Sequence, residues 1–453
     1  MTKNIFVLAL EDWQKSRLET VKDADEFIFH GLLDFHDLVH APADFDVLLA
    51  RLRREIDRIA KPDAIICHWD YPSSCLTPVL AREYGLRYPT LEAVLRCEHK
   101  YWSRLVQQAA APEVVPAFEV LDPHDPQAAD RMTLPFPVWI KPVKSYSSML
   151  GFRADNVMEL RAALQAIAAR GHLMGDSFDH CLQHASVPEN VRAVTGHHAL
   201  VESLMTGEQF AIEGYVQDGK VVPLGWLDMP RRSHGKDILG LRYPADLPDE
   251  LCERVLDVCR RVLSYADFND GCFNVELMWD AENDRLWLIE VNTRISQSHS
   301  DLFTKVDGRS NHEAAIAVAL GRVPEMWQRR GRYRQAAKLL LNKIGDATVL
   351  STPSPGRVRE ISRQLGEALV HLDVKPGMQL HELARQGEYS FIVGEAWLGA
   401  NSEDELLYKY HSLIDLLALR FSDGGELSRD LVLQHVPAPL LRPRPGPSSR
   451  LPR

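Results

Sequence analysis

Twenty-four residues constrain this chain more than any others: Gly271 to Arg294, GCFNVELMWDAENDRLWLIEVNTR. They read as two strands joined by a tight polar turn. Val275, Leu277 and Trp279 alternate with Asn274, Glu276 and Met278. After the turn, Trp287, Ile289 and Val291 alternate with Leu288, Glu290 and Asn292. Side chains two apart share a strand face, so each apolar trio is expected in the core. Glu276, Glu290 and Asn292 then share the opposite face, provided the hairpin pairs Glu276 near Glu290. A symmetric two- or four-residue turn centred on Glu282-Asn283 would separate them, because a one-residue slip flips a strand. An odd-length loop or a bulge is therefore expected.

Two carboxylates and a carboxamide on one face are all oxygen donors, which suits Mg²⁺. Arg294 lies two residues on, on the same face. Carboxylates holding Mg²⁺ beside a fixed cation describe a site for nucleotide phosphates. The alternative is a solvated polar face with a surface arginine. Against it, the face lacks Lys and Thr and carries Met278 and Leu288. It therefore reads as partly covered, and half-buried carboxylates need a partner. The pattern Glu-x13-Glu-x-Asn-x-Arg, ending in IEVNTR, resembles the metal-binding end of the ATP-grasp superfamily.

With 453 residues, two to four domains are expected. No stretch approaches the ~20 consecutive apolar residues of a membrane span. The opening IFVLAL run reads as a buried strand rather than a signal peptide. A net charge of −11 disfavours a general nucleic-acid binder. The seven cysteines form no CxxC pair and their count is odd, so free thiols and a cytoplasmic setting are expected.

Residues 1–95 alternate strand and helix signals, as a parallel α/β layer does. Asn4 to Leu10 and Asp63 to His68 read as strands, Ala43 to Ile59 and Thr77 to Tyr84 as helices, and Arg87 to Pro89 as a short return strand. Trp69 to Ser74 follows a strand end, where Asp70, Ser73 and Ser74 could touch a substrate or simply cap and solvate. There is no G-x-G-x-x-G. Glu98 to Gln108 reads as a helix. Lys100, near its N-terminus, is poorly placed for the macrodipole and needs another partner. Pro135 to Pro142 is a strand with Lys141 at its end. Lys144 to Gly151 is a hydroxyl-rich loop able to close over phosphates. Asp155 to Arg170 is a helix. His198 to Leu204, Ala211 to Gln217 and Lys220 to Trp226 are strands, the last two joined at Asp218-Gly219. Asp249 to Ala266 and Asn311 to Leu320 are helices. Farther on, Leu339 to Asn342, Ala368 to Leu372 and Ser390 to Val393 read as strands, and Ser402 caps a helix ending at Leu417. Pro437 to Arg453 reads as a disordered tail.

The resemblance implies an ATP-grasp fold of the α/β (α+β) class. It would have an N-terminal Rossmann-like pre-ATP-grasp domain at 1–95 and a two-lobed ATP-grasp domain at 96–335, hinged near 201–204. A C-terminal α/β domain at 336–435, similar to that of L-amino-acid ligases, and a tail at 436–453 would follow. It implies ATP with Mg²⁺ or Mn²⁺ held by Glu276, Glu290 and Asn292. Lys100 and Lys141 would meet the phosphates, with His99 standing where the family pattern has an Asn-like residue. Ser147 and Ser148 belong to the phosphate loop, which has fewer glycines than usual. Glu202 and Leu204 would read the adenine, and Glu208 or Gln209 the ribose. Arg294 and Lys141 would be catalytic. Arg231, in a basic loop with Arg232, His234 and Lys236, would face substrate together with Ser296 and His299; His299 could deprotonate an amine. The activity implied is an ADP-forming carboxylate–amine ligase working through an acylphosphate, on amino-acid-like substrates and as a possible homodimer. The alternatives are a biotin-carboxylase-like enzyme or a non-catalytic ATP binder.

Overall fold

The computed structural model describes residues 2–34, 37–38, 44–145, 150–230, 240–326, 328–383 and 390–429. Ser147, Ser148, Arg231 with its basic loop, and the C-terminal tail lie outside the described residues.

Three sheets organise the chain. The first is parallel, in the order β2-β1-β3, from β1 (Lys3–Leu8), β2 (Phe27–Leu32) and β3 (Ala64–Cys67). Helix Phe45–Ile59 covers one face, burying Phe45, Leu48, Leu49, Leu52 and Ile56 at the 3.6-residue period. Arg87 to Pro89 is irregular rather than a strand, and helix Leu91–Glu98, capped by Thr90, follows at once.

The second sheet has four strands, β4 (Phe118–Leu121), β5 (Val138–Pro142), β6 (Phe152–Ala154) and β7 (Ala199–Ser203), in the order β4-β7-β5-β6. Val138, Ile140 and Val201 pack on Leu160, Leu164 and Ile167 of helix Val157–Arg170. The third sheet has eight strands: β8 (Glu208–Gln217), β9 (Lys220–Asp228), β10 (Gly240–Tyr243), β11 (Gly271–Asp280), β12 (Arg285–Asn292), β13 (Gln335–Ile344), β15 (Leu369–Leu372) and β16 (Ser390–Ala400), ordered β12-β11-β8-β9-β10-β13-β16-β15. A short β14 (Val349–Ser351) pairs antiparallel with β17 (Arg420–Phe421) in a separate two-stranded sheet. The chain thus leaves the second sheet at Ser203 and enters the third at Glu208. Gly207 makes that crossing possible: its φ is +111°, and a Cβ there would lie 2.2 Å from Trp279 O. The third sheet runs without a break from β10 into β13. Among the described residues no helix is long and apolar enough to cross a membrane, and all seven cysteines are free.

The β11–β12 hairpin solves the register problem with a bulge. Asp280 pairs with Arg285 across a four-residue turn, and Trp279, Met278 and Leu277 follow in step with Leu286, Trp287 and Leu288. The register then shifts, and Glu276 pairs with Glu290, Val275 with Val291 and Asn274 with Asn292. Ile289 is the extra residue. The two glutamates and Asn292 share a face, as the sequence requires. The phase of the strand before the bulge is reversed, however. Leu286 and Leu288 are buried, 2% and 0% exposed, against Trp279 and Leu277, whereas Trp287 and Ile289 are half-buried on the other side. Leu288 therefore belongs to the core and not to the polar face. Leu288→Ala is expected to cost about 2–5 kcal/mol in denaturant unfolding, and Ile289→Ala about 1 kcal/mol or less. The unbulged phase predicts the reverse ranking.

Candidate active site

A cleft opens between the second and third sheets and is lined by Lys100, Arg104, Lys141, Lys144, Glu202, Glu290 and Asn292. Each side chain is placed by a local feature of the sequence. His99 ends helix Leu91–Glu98 and begins helix Lys100–Ala110. Its Nδ1 accepts from Trp102 N at 3.3 Å, and its Nε2 meets Val194 O at 2.9 Å. Burial pushes this imidazole down to about 4, keeping it neutral. His99 thus supplies the capping acceptor that an Asn would give, and fixes where Lys100 starts.

Lys100 Nζ donates to Ser145 O at 2.7 Å and Oγ at 3.2 Å, at the base of the hydroxyl-rich loop. Its pKa falls to about 7. Burial is the chief cause; Glu290 opposes it, and Lys144 and Lys141 add to it.

Lys141, on β5, pairs with Glu202 on β7 at 2.8 Å, and Glu202 is fully buried. The other Glu202 oxygen takes Arg104 Nε at 2.6 Å. Burial alone would raise the Glu202 pKa, but Arg104 and Lys141 outweigh it and hold it at about 2. The carboxylate that the resemblance assigns to adenine is thus committed to two cations. Leu204 lies just beyond it, half-buried. Glu208 is exposed, and Gln209 turns to the hairpin, its Nε2 donating to Glu276 Oε2 at 2.8 Å.

Arg104 also explains why the bulge is stable. A bulged residue leaves ladder carbonyls without partners. Arg104 Nη1 donates to Leu288 O at 2.8 Å and Nη2 to Ile289 O at 2.9 Å. One guanidinium, 2% exposed, thereby ties Glu202 to the step that sets Glu290 opposite Glu276. Sequence reasoning missed Arg104. The signal was available: Lys100 and Arg104 are like charges one helical turn apart, which needs an anion nearby.

Glu98 and Lys144 form a second missed pair. Glu98 accepts from Lys144 Nζ at 2.9 Å, Ser74 Oγ at 2.8 Å and Thr293 Oγ1 at 2.6 Å. Burial would raise its pKa, but Lys144 and these hydrogen bonds lower it overall. It connects the first layer, the loop base and the end of β12. Ser74 therefore holds Glu98. Asp70 accepts from Arg294 Nε at 2.9 Å and also from Nη2, raising the arginine pKa despite its burial. Arg294 Nη1 reaches Ile295 O at 3.5 Å.

Ser296 immediately precedes helix Gln297–Asp307, so the residues expected to shape the substrate pocket begin a helix. His299 is 3% exposed, and its Nδ1 meets Glu213 Oε2 at 2.6 Å. Glu213 Oε2 also accepts Ser296 N at 3.2 Å. His299 is thus positioned to hold the Ser296 turn.

The donor chemistry fits a hard divalent cation. Glu276 and Glu290 stand directly across the ladder, where like charges repel. A cation held between them would offset that repulsion, and Asn292 would add a neutral oxygen.

Residues 134–301 match the family model described as ATP-grasp domain. The uncharacterized protein y4rH of Sinorhizobium fredii is 25% identical over 351 residues, covering 76% of this chain and 66% of its own length. The chain thus spans just under two thirds of that relative. An L-amino acid ligase from Bacillus licheniformis matches with a TM-score of 0.68 at 16% identity, over 92% of this chain and 98% of that one. A biotin carboxylase from Campylobacter jejuni has a TM-score of 0.61 at 15% identity, over 93% and 92%. A phosphoribosylglycinamide synthetase from Anaerococcus prevotii has 0.59 at 12%, over 92% and 99%. The fold is that of the ATP-grasp superfamily.

Two outcomes follow from the cleft. Arg104→Lys keeps the charge but loses the fork, so Mg·ADP affinity by calorimetry is expected to fall about tenfold or more, with far-UV circular dichroism unchanged. Lys100, neutral above about pH 7 in the free protein, regains its proton beside a triphosphate. ATP binding at about pH 8 is therefore expected to take up protons, measurable in buffers of different ionisation enthalpy, and to weaken as pH rises. Lys100→Arg is expected to abolish the uptake.

Proposed function

We propose that this chain, carrying an ATP-grasp fold, is an ATP-dependent carboxylate–amine ligase that releases ADP and phosphate and acts on amino-acid-like substrates. The observation that carries the reading is Glu276 opposite Glu290 on a face that also holds Asn292, above a cleft lined by Lys100, Lys141 and Lys144.

Glu276, Glu290 and Asn292 would hold Mg²⁺ or Mn²⁺, which when bound would neutralise phosphate charge. Lys100 and Lys141 offset the remaining phosphate charge and orient the γ-phosphoryl group. A substrate carboxylate oxygen attacks the γ-phosphorus, the bond to the β,γ-bridging oxygen breaks, and ADP leaves. The amine nitrogen then attacks the acyl carbon of the acylphosphate. Arg294, held in place by Asp70, donates to the oxyanion as it forms. Collapse expels phosphate, and the nitrogen gives up its proton to the departing phosphate. Glu213, His299 and Ser296 hold the turn beside Arg294, which places Ser296 to meet the substrate. The amino-acid class is supported by the likeness to the L-amino acid ligase over nearly the whole chain.

The test is ADP release with Mg²⁺ across a matrix of amino acids and amine partners, with further arms containing bicarbonate and biotin. Release that needs an acid and an amine, with a new amide mass, is the expected result. Glu290→Gln is expected to slow it by about 100-fold or more. Release driven by bicarbonate and biotin would move the chain to carboxylation, and ATP binding without any ADP release would make it a non-catalytic binder.

A further inference from the structure

Between β6 and β7 the chain carries helix His172–Gln183, which docks on the first layer instead of on its own sheet. Phe178 and Leu182 enter the same core as Phe45 and Tyr71. The rings of Tyr71 and Phe178 meet edge to face at 5.4 Å, and Tyr71 Oη lies 2.8 Å from Ser177 Oγ.

At the rim of this contact stand two histidines and two aspartates. His180 and His184 are one turn apart, so they share a helix face. Asp44 and Asp46 begin helix Phe45–Ile59. Asp44 Oδ1 accepts Asp46 N at 2.9 Å as the helix cap, which turns Oδ2 towards His180 Nδ1. His184 Nε2 lies 2.6 Å from Asp46 Oδ1. The donor atoms of Asp44, Asp46 and His180 all lie within 4.8 Å of one another, the one such group of His, Cys, Asp or Glu among the described residues.

We propose that Asp44, Asp46, His180 and His184 form a divalent transition-metal site of the zinc class that pins the inserted helix to the N-terminal layer. Two imidazole nitrogens with two carboxylate oxygens suit Zn²⁺ far better than Mg²⁺ or Ca²⁺. Tetrahedral zinc with bonds near ~2.0–2.1 Å wants its donors roughly 3.3 Å apart. Asp44, Asp46 and His180 already converge, and His184 joins them through Asp46. The imidazoles are part-exposed, with side chains 46% and 26% accessible, so an ion can enter from solvent. Simple His–Asp pairing would leave two independent exposed contacts worth little, whereas one ion makes the four residues act together. The lobe carrying Lys141 and Glu202 would then be fastened to the first layer from outside the cleft. This site is separate from Glu276, Glu290 and Asn292 and does not depend on the ligase reading.

The test uses the full chain, stripped with a chelator and kept in millimolar Mg²⁺ so that the oxygen site is saturated. Zn²⁺ is measured by equilibrium dialysis and Co²⁺ by its visible absorption. The expected result is about one tight zinc per chain, strong d–d bands of a nitrogen-ligated tetrahedral cobalt, and a melting point raised by added zinc. The bound ion and the bands are lost in H180A/H184A and in Asp46→Asn, and kept in Glu290→Gln. Equal zinc binding by wild type and H180A/H184A, or cobalt that stays pink and octahedral, would overturn the proposal and leave two ion pairs.

Discussion

The candidate site depends on one guanidinium reading two backbone carbonyls. A regular β11–β12 ladder across a four-residue turn would place Glu276 and Glu290 on opposite faces. The bulge at Ile289 removes that mismatch, and Arg104 satisfies the carbonyls of Leu288 and Ile289 that flank it. A buried guanidinium needs anionic compensation, and Glu202 supplies it. Glu202 in turn holds Lys141, so the face that carries Glu276 and Glu290 and the position of Lys141 are set by one connected network. Because β7 and β12 belong to different sheets, this network also fixes how the two walls of the cleft meet.

A second network does the same from the other side. Glu98 is shared by Lys144, Ser74 and Thr293, and Asp70 fastens Arg294. The first layer, which contributes Ser74 and Asp70, is therefore part of the catalytic frame in this reading. Charges are concentrated but balanced in the cleft: each buried carboxylate has a cation, and Lys100 alone is left with a pKa drawn down to about 7. In the ligase reading, a polyanionic ligand would restore that charge.

The shared face of Glu276, Glu290 and Asn292 was legible because it rests on a two-residue period, and the need for a bulge followed from counting residues between Glu276 and Glu290. Where the bulge falls was not legible. Both phases of β12 are apolar, Leu286 and Leu288 on one side and Trp287 and Ile289 on the other, so alternation cannot choose between them. Long amphipathic helices such as Phe45–Ile59 and Asp249–Tyr265 were found nearly to the residue. Strands of three or four residues, β4, β6 and β10, were missed, being too short for a period to show. Leu91–Glu98 was hidden because Arg87 to Pro89 reads as extended and the helix pattern merges with the next one at His99. Arg104, Glu98 and Lys144 escaped because their partners lie far along the chain, and only the Lys100–Arg104 repulsion hinted at one of them. His299 could be read as a base or as a hydrogen-bonding residue, and its partner Glu213 lies 86 positions away, out of reach of any local pattern.

The central claim is that a carboxylate attacks ATP in this cleft. It is tested most directly by isotope transfer: the protein is incubated with Mg·ATP, an amine pool and amino acids carrying ¹⁸O in their carboxylates, and the released phosphate is analysed by mass. An acylphosphate route moves an ¹⁸O from the carboxylate into each phosphate, so labelled phosphate is the predicted result. Phosphate released without label would mean that water attacks ATP here, and would contradict the account.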